Sequence, residues 1–142
     1  MKKLIMMSAL AACISFTAGA QKLEASKVPA AVKTSFAKQY PGVTAKWEKE
    51  DGRYEANFTQ SGKTMSVLID EKGMIAETEM DIKVAELPNS ALTYVKEHYK
   101  GKTIKEGAKI TKADGTVNYE AEVDGKDVIF DANGKFLKEA KD

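Results

Sequence analysis

Little in this chain is suited to catalysis. It has one cysteine, Cys13, one histidine, His98, and a single tryptophan in 142 residues. A zinc site built from several His or Cys ligands is excluded by count. There is no G-x-S-x-G nucleophile elbow, no H-E-x-x-H helix, no phosphate loop and no dinucleotide fingerprint. Neither sign of charge prevails. The formal net charge is +1, and no basic stripe is interleaved with aromatics, so a nucleic-acid partner is not expected. No metal and no cofactor is expected.

The only long apolar run lies at the N-terminus. Lys2 and Lys3 precede the apolar stretch Leu4 to Phe16, which is too short to span a bilayer, and Ala18-Gly19-Ala20 forms an A-x-A site. These features predict a signal peptide over residues 1–20, cleaved after Ala20, and a mature chain over 21–142 in a bacterial periplasm. Leu10-Ala11-Ala12-Cys13 offers a competing lipoprotein box. The apolar run continues through Ile14 and Phe16, which favours the cleaved form. Cleavage takes the formal charge to −1 and removes the only cysteine, so the mature fold must hold without a disulfide. No membrane span is expected after cleavage.

The mature chain carries a ladder of glycines written twice. Gly42, Gly52, Gly62 and Gly73 are answered by Gly101, Gly115, Gly125 and Gly134. A helix opening at Val28-Pro29 carries Val32, Phe36 and Tyr40 on one stripe, and Pro41-Gly42 stops it. The period then falls to two. Val43, Ala45 and Trp47, then Tyr54, Ala56 and Phe58 alternate with polar residues, and Met65, Val67 and Ile69 alternate with Ser66 and Leu68. Asp51-Gly52, Ser61-Gly62 and Asp70 to Gly73 provide turns. Met74 to Glu79 adds a shorter strand, and Asp81 to Glu86 a connector.

From Leu87-Pro88 the grammar repeats: Leu87, Ala91, Val95 and Tyr99 on a helix, then strands separated by Asp114-Gly115, Asp124-Gly125 and Asp131 to Gly134. Gly107 is a candidate bulge. Tyr54-Glu55-Ala56 matches Tyr119-Glu120-Ala121. The fold expected is α+β: two tandem repeats, 28–82 and 87–140, each a helix plus a four-stranded antiparallel sheet, with the helices on one face.

Each strand then has an apolar face under the helices and a polar face open to water. The polar face would carry Lys46, Glu48, Arg53, Glu55 and Asn57, with Asn118, Glu120 and Glu122. Glu55 and Glu120 recur as a pair, but solvated or cross-strand carboxylates account for them better than acid–base chemistry. His98 sits off the apolar stripe without an evident partner. Asp131-Ala132-Asn133-Gly134 fails as a calcium loop, because Lys135 and Leu137 stand where oxygen ligands are needed.

An export signal, helices opening Val-Pro or Leu-Pro, the Tyr-Pro-Gly stop, Tyr-Glu-Ala, and Val-x-Ile-Asp-x-x-Gly together resemble the PepSY-like family. That family is also called beta-lactamase-inhibitor-like and is common among periplasmic proteins of Bacteroidetes. The resemblance spans about residues 28–140. It implies joined sheets with helices on one face, and a protein-binding or regulatory role. Beta-lactamase inhibition is not carried over: the inhibitor uses disulfides and an aromatic binding surface, whereas this polar face is charged. The function expected is a non-enzymatic periplasmic module that binds an unidentified protein or peptide through the open sheet face. Lys46, Glu48, Arg53, Glu55, Glu120 and Glu122 are its candidate contacts. The alternative is a carrier of a small apolar ligand held near Trp47 and Tyr54.

Overall fold

The computed structural model describes residues 20–141. The signal peptide and the lipoprotein alternative at Cys13 therefore fall outside the described residues, apart from Ala20. Strands are β1 (Gln21–Leu23), β2 (Lys46–Glu50), β3 (Arg53–Gln60), β4 (Lys63–Ile69), β5 (Ile75–Ile82), β6 (Ile104–Lys112), β7 (Val117–Val123), β8 (Lys126–Asp131) and β9 (Phe136–Lys141). The helices are α1 (Ala30–Gln39) and α2 (Asn89–His98). Strand order follows chain order from β1 to β9. The chain divides into two compact units at Thr78/Glu79, inside β5. Strand β5 spans that boundary.

In unit 1 the stripe on α1 is buried as its spacing predicts, with Val32, Phe36 and Tyr40 packing on Trp47, Tyr54, Ala56, Phe58, Val67 and Ile69. Phe36 lies at the centre. Its ring centroid is 5.4 Å from Tyr40, 5.4 Å from Trp47 and 5.1 Å from Phe58. Edge-on and tilted rings at these separations fill the space between helix and sheet. Pro29 takes the cap position just before α1, one residue earlier than expected, and Pro88 does the same for α2. The polar lead-in is structured: Gln21–Leu23 pairs with β2, and a single 3-10 turn over Ala25–Lys27 leads into the helix.

In unit 2 the stripe on α2 packs Leu87, Ala91 and Val95 on Ala121, Val123, Val128 and Phe130. Here the aromatic cluster gathers on Tyr94, which stacks on Phe136 at 4.7 Å and meets Phe130 edge-on at 5.7 Å. Gly107 is not a bulge. It sits in register opposite Ala121, with Leu87 above it, and the register shift lies between Ile104 and Glu106.

The hairpins follow their turn chemistry. Asp51-Gly52 has both residues at positive φ (48° and 76°), the two-residue geometry that matches strand twist. The longer loops are held by their aspartates. Asp70 Oδ1 accepts from the backbone N–H of Lys72 and of Met74, each at 2.9 Å, and Asp131 Oδ1 accepts likewise from Asn133 and Lys135. Each loop then packs on the start of its helix. A Cβ on Gly73 would come within 2.7 Å of the Ala31 carbonyl oxygen, and one on Gly134 within 2.7 Å of Pro88 Cβ. Glycine is required at both positions by space as well as by φ.

Candidate functional site

Strand pairing places the candidate residues on the sheet face away from the helix of their own unit. In unit 1, β2 and β3 bring Lys46 opposite Asn57, Glu48 opposite Glu55, and Glu50 opposite Arg53. Lys22 stands opposite Glu48 on the outer side, and Leu68 opposite Glu55 on the inner side. The sequence separates Glu48 and Glu55 by a hairpin, and the register makes them direct neighbours.

The face is not simply wet. Lys46 is exposed and Arg53 half-buried, but Glu55 is only 4% exposed. Glu48 is half-buried. Burial is the main force pushing the Glu55 carboxyl up to about 7. The negative charges of Glu50, Glu48 and Glu77 add to it, and a hydrogen bond donated by Ser66 works against it. Glu48 is also raised, by burial and by Glu50, against the pull of Lys22. Glu48 Oε2, Glu55 Oε2 and Asn57 Oδ1 are buried acceptors with no hydrogen-bond donor. Buried acceptors of this kind are costly to leave unmet.

In unit 2, Glu120 is 5% exposed and lies between Ala108 on β6 and Ile129 on β8. Ala108, Ile110 and Ile129 are all buried on this face, which was expected to be polar. Glu122 is 8% exposed, faces Glu106 and Asp127, and receives Lys105 Nζ at 3.0 Å. The expectation that Glu55, Glu120 and Glu122 are solvated is thus corrected. Apolar and polar neighbours on adjacent strands cover all three.

The structure brings together Lys46, Glu48, Arg53 and Glu55 in unit 1, and Glu120 with Glu122 in unit 2. Sequence reasoning missed Glu50, Ser66 and Glu77 around Glu55, and Lys105 and Asp127 around Glu122. Glu50 was legible, because it shares strand parity with Glu48. Glu77 and Lys105 depended on register.

Other chemistry is spoken for. His98 stacks on Tyr94 at 3.9 Å, and its Nδ1 donates to the Tyr94 carbonyl at 2.9 Å. The Tyr99 hydroxyl donates to Glu139, which also pairs with Lys126 at 2.8 Å. Among the described residues, no group of three or more His, Cys, Asp or Glu is arranged to hold a metal ion. Among them, too, no helix is long and apolar enough to cross a membrane.

In each unit the helix packs on one face of its strands, and buried acids lie on the other. The chain belongs to the family described as "Putative beta-lactamase-inhibitor-like, PepSY-like", whose model matches residues 16–77 and 53–138. Solved structures similar to it include a BLIP-like protein from Bacteroides fragilis NCTC 9343, at 25% identity and TM-score 0.65, over 80% of this chain and 86% of that one. Another is a DUF2874 family protein from Bacteroides uniformis ATCC 8492, at 18% identity and TM-score 0.71, over 80% and 88%. A third, described as one of the "putative periplasmic proteins" of Bacteroides eggerthii DSM 20697, shares 15% identity at TM-score 0.73, over 80% and 88%. No curated protein matches the chain.

Proposed function

We propose that the mature chain, residues 21–142, is a non-enzymatic periplasmic module that holds a protein or peptide on the helix-free face of its sheet. The observation that carries this reading is a set of buried oxygens without a hydrogen-bond partner on that face of unit 1, Glu48 Oε2, Glu55 Oε2 and Asn57 Oδ1; Glu120 Oε2 in unit 2 is a buried oxygen of the same kind. A surface built only for stability would replace them with apolar side chains or give them donors. The inhibitor-like family description and the periplasmic names of similar structures support the same reading. Lys46, Glu48, Arg53 and Glu55 form the contact set in unit 1, and Glu120 and Glu122 in unit 2. The signal peptide directs export and is then removed after Ala20.

The small-ligand carrier is the weaker reading. The space it needs beside Trp47 and Tyr54 holds the rings of Phe36, Tyr40 and Phe58, packed 4.7–5.4 Å apart.

A photo-crosslinking residue placed at Arg53 is expected to give discrete adducts in the periplasm, while one at exposed Lys38 on α1 gives none. Equal labelling from both positions, or none from Arg53, rejects the face as the binding surface.

A further inference from the structure

Resting on the protein-binding reading above, we infer that the Glu48–Glu55–Asn57 cluster is the seat of an arginine side chain presented by the partner. Three buried oxygens there, Glu48 Oε2, Glu55 Oε2 and Asn57 Oδ1, have no hydrogen-bond partner and lie on adjacent strands at register positions Glu48↔Glu55 and Lys46↔Asn57, while Ser66 donates to the Glu55 carboxyl. What these three oxygens lack is a donor, and among the described residues no cation forms an ion pair with either carboxylate. A guanidinium has five donors in a planar fork, no acceptor and a charge that persists at any working pH, so it answers both needs at once. Two carboxylates side by side suit its bidentate geometry better than the single point of an ammonium.

The chain's own cations do not fill the seat. Lys22 acts on Glu48 from across the β1–β2 pair without forming an ion pair, Lys46 is exposed opposite Asn57, and Arg53 stands opposite Glu50. The groups around Glu55 are Lys22 on β1, Lys46, Glu48 and Glu50 on β2, Arg53 and Asn57 on β3, Ser66 and Leu68 on β4, and Glu77 on β5. Glu48 and Asn57 are half-buried, so the seat is approached from their side, with Glu55 enclosed behind them.

Arginine must compete with the proton that Glu55 keeps up to about pH 7. Affinity therefore rises with pH, up to about tenfold per unit below that value, and levels off above it.

The test is an NMR titration of the exported protein with a blocked Gly-Arg-Gly peptide and its lysine and citrulline counterparts, at about pH 5 and about pH 8. The arginine peptide is expected to shift the backbone amides of residues 46–57, at least about tenfold more tightly at the higher pH. Citrulline is expected to do nothing, and lysine to bind more weakly. E48Q and E55Q, isosteric and verified as folded by their spectra, are expected to cost about tenfold or more, while E97Q, at an exposed position on α2, costs nothing. Unchanged affinity in E55Q, equal binding of citrulline, the same shifts with calcium chloride, or silent 46–57 amides would each overturn the seat.

Panning a random peptide library on the same protein separates this inference from the reading beneath it. Peptides that bind the face without arginine overturn the seat and leave the docking face standing. A face that selects no peptide and yields no crosslink removes both.

Discussion

Glu55 and Glu120 occupy the same place in two copies of one pattern, each between a tyrosine and an alanine on a central strand, and each is nearly inaccessible to water. Their neighbours differ. Glu55 faces another glutamate on β2, with Glu50 and Glu77 close enough to raise it further. Glu120 faces Ala108 and Ile129, and its strand neighbour Glu122 has Lys105 at 3.0 Å. Unit 2 therefore packs its helix-free face with apolar side chains and answers an acid with a lysine. Unit 1 gathers acids around Glu55. A duplicated frame keeps the positions of its side chains while their surroundings diverge, and the surroundings decide what a carboxylate can do.

The difference extends to the cores. Phe36 centres a cluster of four rings under α1, and the matching position on α2 is Val95. F36A is expected to cost about 4 kcal/mol in urea unfolding and V95A about 2 kcal/mol. Equal costs would mean that the two helices dock equivalently.

Next in size is the pH response of unit 1. The folded chain keeps the Glu55 proton up to about 7, whereas the unfolded chain releases it near the ordinary 4.5. The contribution is complete below about pH 4.5 and is lost as pH rises through 7, by about 3 kcal/mol. E55Q removes this loss, so its advantage over the parent should grow from near zero at about pH 4 to about 3 kcal/mol at about pH 8. A parent whose stability stays flat across that window breaks the contrast between the units.

The loops docked on the helices come next. G73A and G134A each add a Cβ against backbone or ring atoms at 2.7 Å and at positive φ, and should cost about 2–3 kcal/mol. G52A, with nothing within 4 Å, should cost about 1 kcal/mol. Smallest is the lysine of unit 2. K105A strands a mostly buried Glu122 and should cost about 1–2 kcal/mol. K102A breaks the exposed pair with Asp124 and should cost under about 0.5 kcal/mol.

Much of the fold was legible because local chemistry decides it. The stripes Val32-Phe36-Tyr40 and Leu87-Ala91-Val95, the Asp-Gly turns and the glycines closing the Asp70 and Asp131 loops all lie where pattern places them. The short strand Gln21–Leu23 was not legible, since three polar-flanked residues have no period and gain their structure from pairing with β2. The helix-free face was misread in an instructive way. Alternation predicts one wet side, yet Val128-Ile129-Phe130 is an unbroken apolar run, so Ile129 must point opposite to its neighbours and cover the face that holds Glu120. Leu68 between Val67 and Ile69 does the same beside Glu55. The Glu48–Glu55 pairing depends on a register that strand patterns leave open, and the charges raising Glu55 come from β2 and from Glu77 on β5.

The side-chain carboxyl of Glu55 can be followed directly by carbon-detected NMR across a pH titration of the exported protein. A midpoint near 7 that moves down in E48Q is the result predicted for a buried acid crowded by its cross-strand neighbour. A midpoint in the ordinary carboxylate range, near 4.5 and indifferent to Glu48, would contradict it and leave unit 1 no different from a solvated strand.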